Sequence, residues 1–172
     1  DLRTALQKNK SRIKLNPKLE LAKIVKTVVL PFIDVDYMVN VVLGRQGHID
    51  WTKASKAKRD EFVTQFISLI VGTYSAALQE YDNQPVKVYP VRGFSASNTS
   101  AEVHSVLDRN NGQQIALLYQ LVKEGNSWKI VDFSVEGISL IQSYQAQFQS
   151  IVQSKGLNGL ITTLKKHNEK NQ

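Results

Sequence analysis

One stretch, Trp128 to Val152, changes from strand to helix periodicity within a few residues and constrains the fold more than any other. Val131, Phe133 and Val135 alternate with polar residues, which predicts a strand with one apolar face. After Gly137 the apolar residues recur at helical spacing instead. The sequence therefore predicts a strand that runs directly into a long helix, with a glycine at the join. We expect an apolar cavity to open at this turn.

The composition bounds the class of protein. A chain of 172 residues with 42% hydrophobic and 22% charged residues predicts one globular domain over residues 1–172. The chain has no cysteine, which excludes a disulfide framework and cysteine-based metal or nucleophilic sites. Its formal net charge of +7 suits nucleic acid, an anionic membrane surface or an acidic protein, and does not choose among them. No apolar run reaches the ~18–20 residues that span a bilayer.

Capping signals and apolar periodicity predict helices over the first half of the chain. The long helix carries two apolar stripes, so it needs packing partners on two sides. The predicted elements are a basic helix over 2–15, a helix that starts at Asn16-Pro17 and ends at Pro31, a helix over 35–43 between Asp34 and Gly44, a polar loop over 45–54, and a long helix over 56–81 capped by Ser55.

Beyond Pro85 the apolar period becomes two, which predicts four antiparallel strands that begin near residues 86, 101, 114 and 128. In the third strand, Ile115, Leu117, Tyr119 and Leu121 share one face. A hairpin turn is expected over 108–112, and a last helix over 157–167 after Gly156. The fold class is α+β, a single twisted antiparallel four-stranded sheet wrapped by helices.

Histidines and nucleotide-binding motifs give no sign of catalysis. His48, His104 and His167 have no metal-ligand spacing, and we interpret them as surface or structural residues. The sequence contains no P-loop, GxGxxG or GxSxG motif. It therefore predicts no metal site and no cofactor.

Carboxylates and basic clusters have plain interpretations. Asp34 and Asp36 fit a helix cap and a first-turn dipole partner better than an acid–base pair. Asp132 and Glu136 flank the central strand, where we favour solvated charges at a pocket rim and keep a catalytic base as the rival. Basic clusters over 53–59 and 165–170 lack interleaved aromatics, so they favour solvated faces over a nucleic-acid surface.

Four segments in order resemble one known family. They are VVLPFIDVDYMVNVVLG at 28–44, RDEFVTQFISLIVGTYSAALQEY at 59–81, WKIVDFSVEGISLIQSY at 128–144 and KGLNGLITTL at 155–164. Their order and spacing resemble the MlaC, or toluene-tolerance, family of phospholipid-binding proteins. The resemblance covers nearly the whole chain, from about Asn16 to Leu164.

The resemblance implies a periplasmic protein from which a signal peptide has been removed, and a ketosteroid-isomerase-like cone around an apolar lipid pocket. It implies no enzymatic activity and, as bound ligand, a glycerophospholipid whose acyl tails lie in the pocket. It further implies that the protein carries lipid between an outer-membrane lipoprotein–porin complex and an inner-membrane ABC transporter to maintain outer-membrane lipid asymmetry.

The pocket is expected to be lined by apolar residues on elements that face one another. The candidates are Val39, Val42, Phe66, Ile70, Tyr74, Val88, Val106, Leu118, Val131, Phe133, Val135 and Ile138. Two alternatives stay open at this point: an enzyme on the same fold with Asp132 or Glu136 as base, and a basic module that binds protein or nucleic acid. We favour the lipid carrier, for which nucleic acid is not a partner.

Overall fold

The computed structural model describes residues 1–80, 84–109 and 111–170. Helices form the first half of the chain and its end, and a sheet lies between them. The helices are α1 (Leu2–Lys8), α2 (Lys10–Leu15), α3 (Pro17–Ile24), α4 (Val35–Lys53), α5 (Lys56–Glu80) and α6 (Leu140–Lys170). The strands are β1 (Val86–Val88), β2 (Ser100–Asp108), β3 (Gln114–Glu124), β4 (Ser127–Val135) and β5 (Ile138–Ser139). This arrangement confirms the α+β class. The predicted end of the long helix at Tyr81, and Asn110 in the predicted turn, lie outside the described residues.

The sheet is antiparallel throughout, and its five strands lie in sequence order. The prediction of four strands was wrong because the chain does not pass directly from β4 into a helix. Glu136 and Gly137 have φ angles of 52° and 77°, and they form a two-residue hairpin that pairs Ile138 with Val135. Tight hairpins of this kind require positive φ at both turn residues, which explains the glycine. The short strand β5 thus separates the glycine from α6.

Strand register divides the side chains of the sheet into an apolar face and a mixed face, because directly opposed residues share a face. The apolar face consists of Val86, Val88, Ala101, Val103, Ser105, Leu107, Ile115, Leu117, Tyr119, Leu121, Trp128, Ile130, Phe133, Val135 and Ile138, with Lys123 at the end of β3. The mixed face includes Lys87, Ser100, Glu102, His104, Val106, Asp108, Gln114, Ala116, Leu118, Gln120, Val122, Lys129, Asp132, Ser134 and Ser139. A bulge in the pairing of β3 with β4, between Gln120 and Leu121, leaves Val131 of β4 without a directly opposed partner.

Two apolar clusters hold the helices together, and α5 contributes to both. One stripe of α5, with Phe62 and Phe66, packs with α4 and α6. The other stripe, with Ile67 and Val71, packs with α1 to α3. The two-sided periodicity of α5 therefore reflects two helical partners. Neither cluster contains a residue of the described strands.

Helices α4 and α6 each bend at a glycine, and each supplies a side chain to the bend of the other. Gly44 has a φ of 68°, and the carbonyl of Val41 accepts hydrogen bonds from the side chains of Gln145 (3.3 Å) and Gln149 (3.4 Å). Gly156 has a φ of 65°, and the backbone N–H of Leu157 donates to the carboxylate of Asp50 (3.1 Å). These side chains occupy backbone groups that an unbroken helix would pair internally.

The predicted polar loop over 45–54 was wrong, because helix α4 resumes after Gly44 and continues to Lys53. Polar residues and a second glycine leave this part of the helix without a clear apolar periodicity. Tertiary packing stabilises it: Trp51 is buried, contacts the ring of Phe62 at 5.8 Å between centroids, and donates its indole N–H to Asp36 at 2.7 Å. The guanidinium of Arg59 lies over the same indole.

The segment between α3 and α4 fastens the helices to the sheet. The chain does not leave the helical region at Pro31 as predicted. A π-helical turn, Val25–Val29, and a 3₁₀ turn, Leu30–Phe32, follow α3, and proline is tolerated in the first turn of a new helix. Ile33 then forms a parallel bridge with Ile130, and the N–H of Asp34 donates to the carbonyl of Ile130 at 2.9 Å. Asp34 caps α4, as predicted.

Candidate functional site

The apolar face of the sheet is an apolar surface that belongs to neither helical cluster. Extensive packing between helices and strands involves only β4 and β5 among the described elements. The aliphatic residues of β2 and β3 on this face are half-buried, and Val88 and Ile138 at its margins are 60% and 61% exposed. A contiguous apolar surface of this kind is typical of a binding site. Its lining offers hydrocarbon contacts and few polar ones.

Four of the predicted lining residues lie together on this face. Val88, Phe133, Val135 and Ile138 come from three strands, and opposed pairing brings Val135 and Ile138 side by side. The ring of Phe133 contacts that of Tyr119, with centroids 5.1 Å apart. The stretch that feeds β4 into the hairpin therefore does contribute to the apolar surface.

The other predicted residues do not share that face. Val106 and Leu118 lie on the mixed face, opposite Ala116 and His104, so they and the apolar face cannot line one surface. Val39, Val42 and Phe66 are buried within the cluster of α4, α5 and α6, against which Ile70 packs. Val131 is buried at the bulge of β4.

Several residues of the apolar face were not among the predicted lining residues. They are Val86, Ala101, Val103, Ser105, Leu107, Ile115, Leu117, Tyr119, Leu121, Trp128 and Ile130. The signal for those of β3 was its own alternation, in which Ile115 to Leu121 share one parity. Leu118 shares the other parity with Gln114 and Gln120, which indicates the mixed face.

Tyr74 of α5, the remaining predicted residue, is half-buried and lies near the hydroxyl of Tyr144. Its pKa is raised above the ordinary value by burial and then by the neighbouring Tyr144. The hydroxyl of Tyr144 is 3.1 Å from that of Thr73, and its ring packs on Phe66 and Phe148. Tyr74 therefore stays protonated at neutral pH and can act as a hydrogen-bond donor.

The two candidate bases have structural partners at the end of β4. Asp132 lies on the mixed face, and its carboxylate accepts hydrogen bonds from the Ser139 hydroxyl at 2.5 Å and the Ile141 N–H at 3.5 Å, at the start of α6. The carboxylate of Glu136 accepts from the N–H of Ala116. Both carboxylates thus accept hydrogen bonds from backbone N–H groups or from the Ser139 hydroxyl. Asp132 also faces away from the apolar surface. This arrangement does not favour the enzyme alternative.

The sequence matches the MlaC protein family over residues 1–166, nearly the whole chain. The chain belongs to the MlaC family. Two curated relatives carry names from lipid transport and solvent tolerance. The intermembrane phospholipid transport system binding protein MlaC of Haemophilus influenzae is 28% identical over 162 residues, which is 92% of this chain and 73% of the relative. Toluene tolerance protein ttg2D of Pseudomonas putida is 26% identical over 151 residues, 88% of this chain and 67% of the relative.

A solved structure of similar fold contains a bound phospholipid. The phospholipid-binding protein of Ralstonia solanacearum, solved in complex with a phospholipid, superposes with a TM-score of 0.75 at 28% identity. The match covers 98% of this chain and 95% of the other. The resemblance to the MlaC family is thus confirmed. The relatives carry names that refer to phospholipid binding, intermembrane phospholipid transport and toluene tolerance.

Within residues 1–80, 84–109 and 111–170, His, Cys, Asp and Glu side chains form no group of three or more that could hold a metal ion. In the same part of the chain, none of the helices has the length and apolar character needed to cross a bilayer.

Proposed function

We propose that this protein is a phospholipid carrier that holds acyl tails against the apolar face of its sheet. The observation that supports the proposal most is that this face is apolar on every strand yet belongs to neither helical cluster. The phospholipid in the related Ralstonia solanacearum structure supports the choice of ligand. The lining residues we propose are those of the apolar face, including Val88, Phe133, Val135 and Ile138.

The energetics of acyl chains explain why a carrier needs such a surface. Two chains of about 16 carbons represent roughly 25 kcal/mol of hydrophobic transfer free energy, at ~0.8 kcal/mol per methylene. A protein in water must replace most of that free energy, or the lipid would stay in the bilayer. Polar groups against the tails would oppose binding, so an aliphatic lining is what this function requires.

Carriage, as distinct from binding, predicts transfer between membranes. Incubating the protein with immobilised vesicles that contain a fluorescent phospholipid should move label into acceptor vesicles, at a rate proportional to protein concentration. The physical reason is that the bound tails are shielded from water during diffusion. A protein that co-purifies with lipid but leaves this rate at its spontaneous value would be a lipid-binding protein without a carrier role.

The relatives' names suggest that the carrier works between two membranes. We place it in the periplasm and propose that it exchanges lipid with an inner-membrane ABC transporter and an outer-membrane lipoprotein–porin complex. Osmotic shock of cells that produce the natural gene product should release it with periplasmic markers. Retention with the spheroplasts would contradict this location.

A basic pocket on the helices is our candidate for docking to an acidic face of such a complex. The pocket has a volume of about 270 Å³ and is lined by Lys26, Leu30, Val35, Trp51, Lys56, Arg59, Asp60 and Val63. Three cations and one carboxylate line it together with apolar side chains, and Lys56 pairs with Asp60 at 2.6 Å, so the lining carries a net positive charge. Arg59 also donates to the carbonyls of Ala54 and Thr52, so it helps to join α4 to α5 and is unsuitable for charge reversal.

Reversing two pocket lysines tests this docking surface. We expect Lys26→Glu with Lys56→Glu to weaken association with membranes that carry the transporter by about tenfold. The reason is that opposite charges on two partners mainly raise their rate of association. Lipid content should not change. The matched control is Lys165→Glu with Lys166→Glu, an equal charge change at two exposed residues of α6. Equal weakening by both pairs would mean that only net charge matters and that the pocket is not the docking surface.

A further inference from the structure

Two hydroxyl groups interrupt the apolar face at its centre. Ser105 of β2 is opposite Val88 and Leu117, and Tyr119 of β3 is opposite Val103 and Phe133. All directly opposed residues of these two are therefore apolar. A polar group in such surroundings is costly unless it has a hydrogen-bond partner.

The two hydroxyls make a weak contact with each other. The Ser105 hydroxyl donates to the Tyr119 oxygen at 3.5 Å, longer than the ~2.7–2.8 Å that is usual between hydroxyl oxygens. Because Ser105 is the donor, the O–H of Tyr119 is left to donate elsewhere. It has no acceptor among the residues that the structure describes. The pair therefore has unused hydrogen-bonding capacity inside an apolar surface.

Burial assigns different parts to the two residues. Ser105 is only 1% exposed, so its side chain is out of reach of a ligand. Tyr119 is half-buried, and its ring is held against that of Phe133. A molecule on the apolar face would thus meet the hydroxyl of Tyr119, whose oxygen accepts a hydrogen bond from the buried Ser105 on the neighbouring strand.

We propose that the hydroxyl of Tyr119 donates a hydrogen bond to an ester carbonyl of the bound lipid, with Ser105 as the residue that positions it. This inference rests on the proposed function. In a diacyl phospholipid the ester carbonyls are the acceptors that adjoin the hydrocarbon tails. A carbonyl on an apolar surface loses its water and needs a donor, whereas the O–H of Tyr119 needs an acceptor. Each group thus satisfies the other, and Leu107, Ile115 and Leu117 remain for the tails.

Lipids with and without ester carbonyls test this pairing directly. The protein is exchanged against excess vesicles that contain equal amounts of diester and diether phosphatidylglycerol of the same chain length, then extracted and analysed by mass spectrometry. The wild type should take up the diester about fivefold more than the diether, the effect of one neutral hydrogen bond. Tyr119→Phe should bring the ratio to about one without loss of total lipid. Ser105→Ala should give a ratio between the two.

Tyr144→Phe is the matched control, since it removes a tyrosine hydroxyl that contacts Thr73 on the helices. Its diester preference should equal that of the wild type. A wild type without preference, or a Tyr119→Phe variant that keeps it, overturns the inference alone. Full preference in Ser105→Ala overturns the positioning role. A wild type that takes up neither lipid overturns the proposed function and this inference with it.

Discussion

Replacing Phe148 with alanine is expected to lower the free energy of unfolding by about 3–5 kcal/mol, the usual cost of removing a buried phenylalanine ring. Phe148 of α6 is 1% exposed. Its ring centroid lies 5.2 Å from that of Phe66, 5.5 Å from that of Tyr144 and 6.3 Å from that of Phe62. The cavity left by the substitution would lie where α4, α5 and α6 meet, so the surrounding helices could close it only by shifting closer together and disturbing their other contacts.

Urea unfolding followed by circular dichroism measures this loss. Leu19→Ala provides the control, because Leu19 is 50% exposed on α3 and its truncation should change stability by no more than about 0.5 kcal/mol. A Phe148→Ala protein that loses less than about 1 kcal/mol would show that the three-helix cluster is not the main core of the fold.

Leu117→Glu should abolish lipid binding in a folded protein. Leu117 lies on the apolar face between Ser105 and Val135. A glutamate there would place a carboxylate against hydrocarbon, and the charged group would stay hydrated or take up a proton rather than be buried bare. Either response displaces the acyl tails. Because Leu117 belongs to neither helical cluster, we expect the helices to keep their packing.

The neighbouring residue offers a matched control on the same strand. Leu118 is half-buried like Leu117 but lies on the mixed face, opposite His104. Leu118→Glu should therefore retain lipid at the wild-type level, with a comparable loss of stability. Lipid extraction and thermal melting of the two variants decide between the faces. If Leu118→Glu loses lipid and Leu117→Glu keeps it, the lipid binds on the mixed face and our assignment of the binding surface is wrong.

Local capping signals predicted the starts of three helices correctly. Asn16, Asp34 and Ser55 accept backbone N–H groups at the starts of α3, α4 and α5, as short polar side chains at these positions should. The second half of α4 was missed, because its stability comes from Trp51 against α5 and from Asp50 against Leu157, which are contacts between distant segments. The sequence pattern over this segment is polar and predicts a loop, whereas tertiary packing stabilises a helix.

The candidate site was harder to predict than the fold for a physical reason. Apolar periodicity shows that a face must be buried away from water, but either a ligand or another helix can bury it. Phe66 and Val42 are apolar because they pack against helices, whereas Val135 and Leu117 lie outside those clusters. Only strand register separates Leu117 from Leu118, and only the assembled helices show which apolar face they leave uncovered.

Lipid analysis of the wild-type protein tests the central claim most directly. Protein purified without detergent is extracted with organic solvent, and the extract is analysed by mass spectrometry with a phosphorus assay for stoichiometry. Tails held on the apolar face should survive purification, so we predict phospholipid at a near-stoichiometric level. An extract with no more phospholipid than that of the Leu117→Glu variant purified in parallel would contradict the claim that this sheet binds phospholipid.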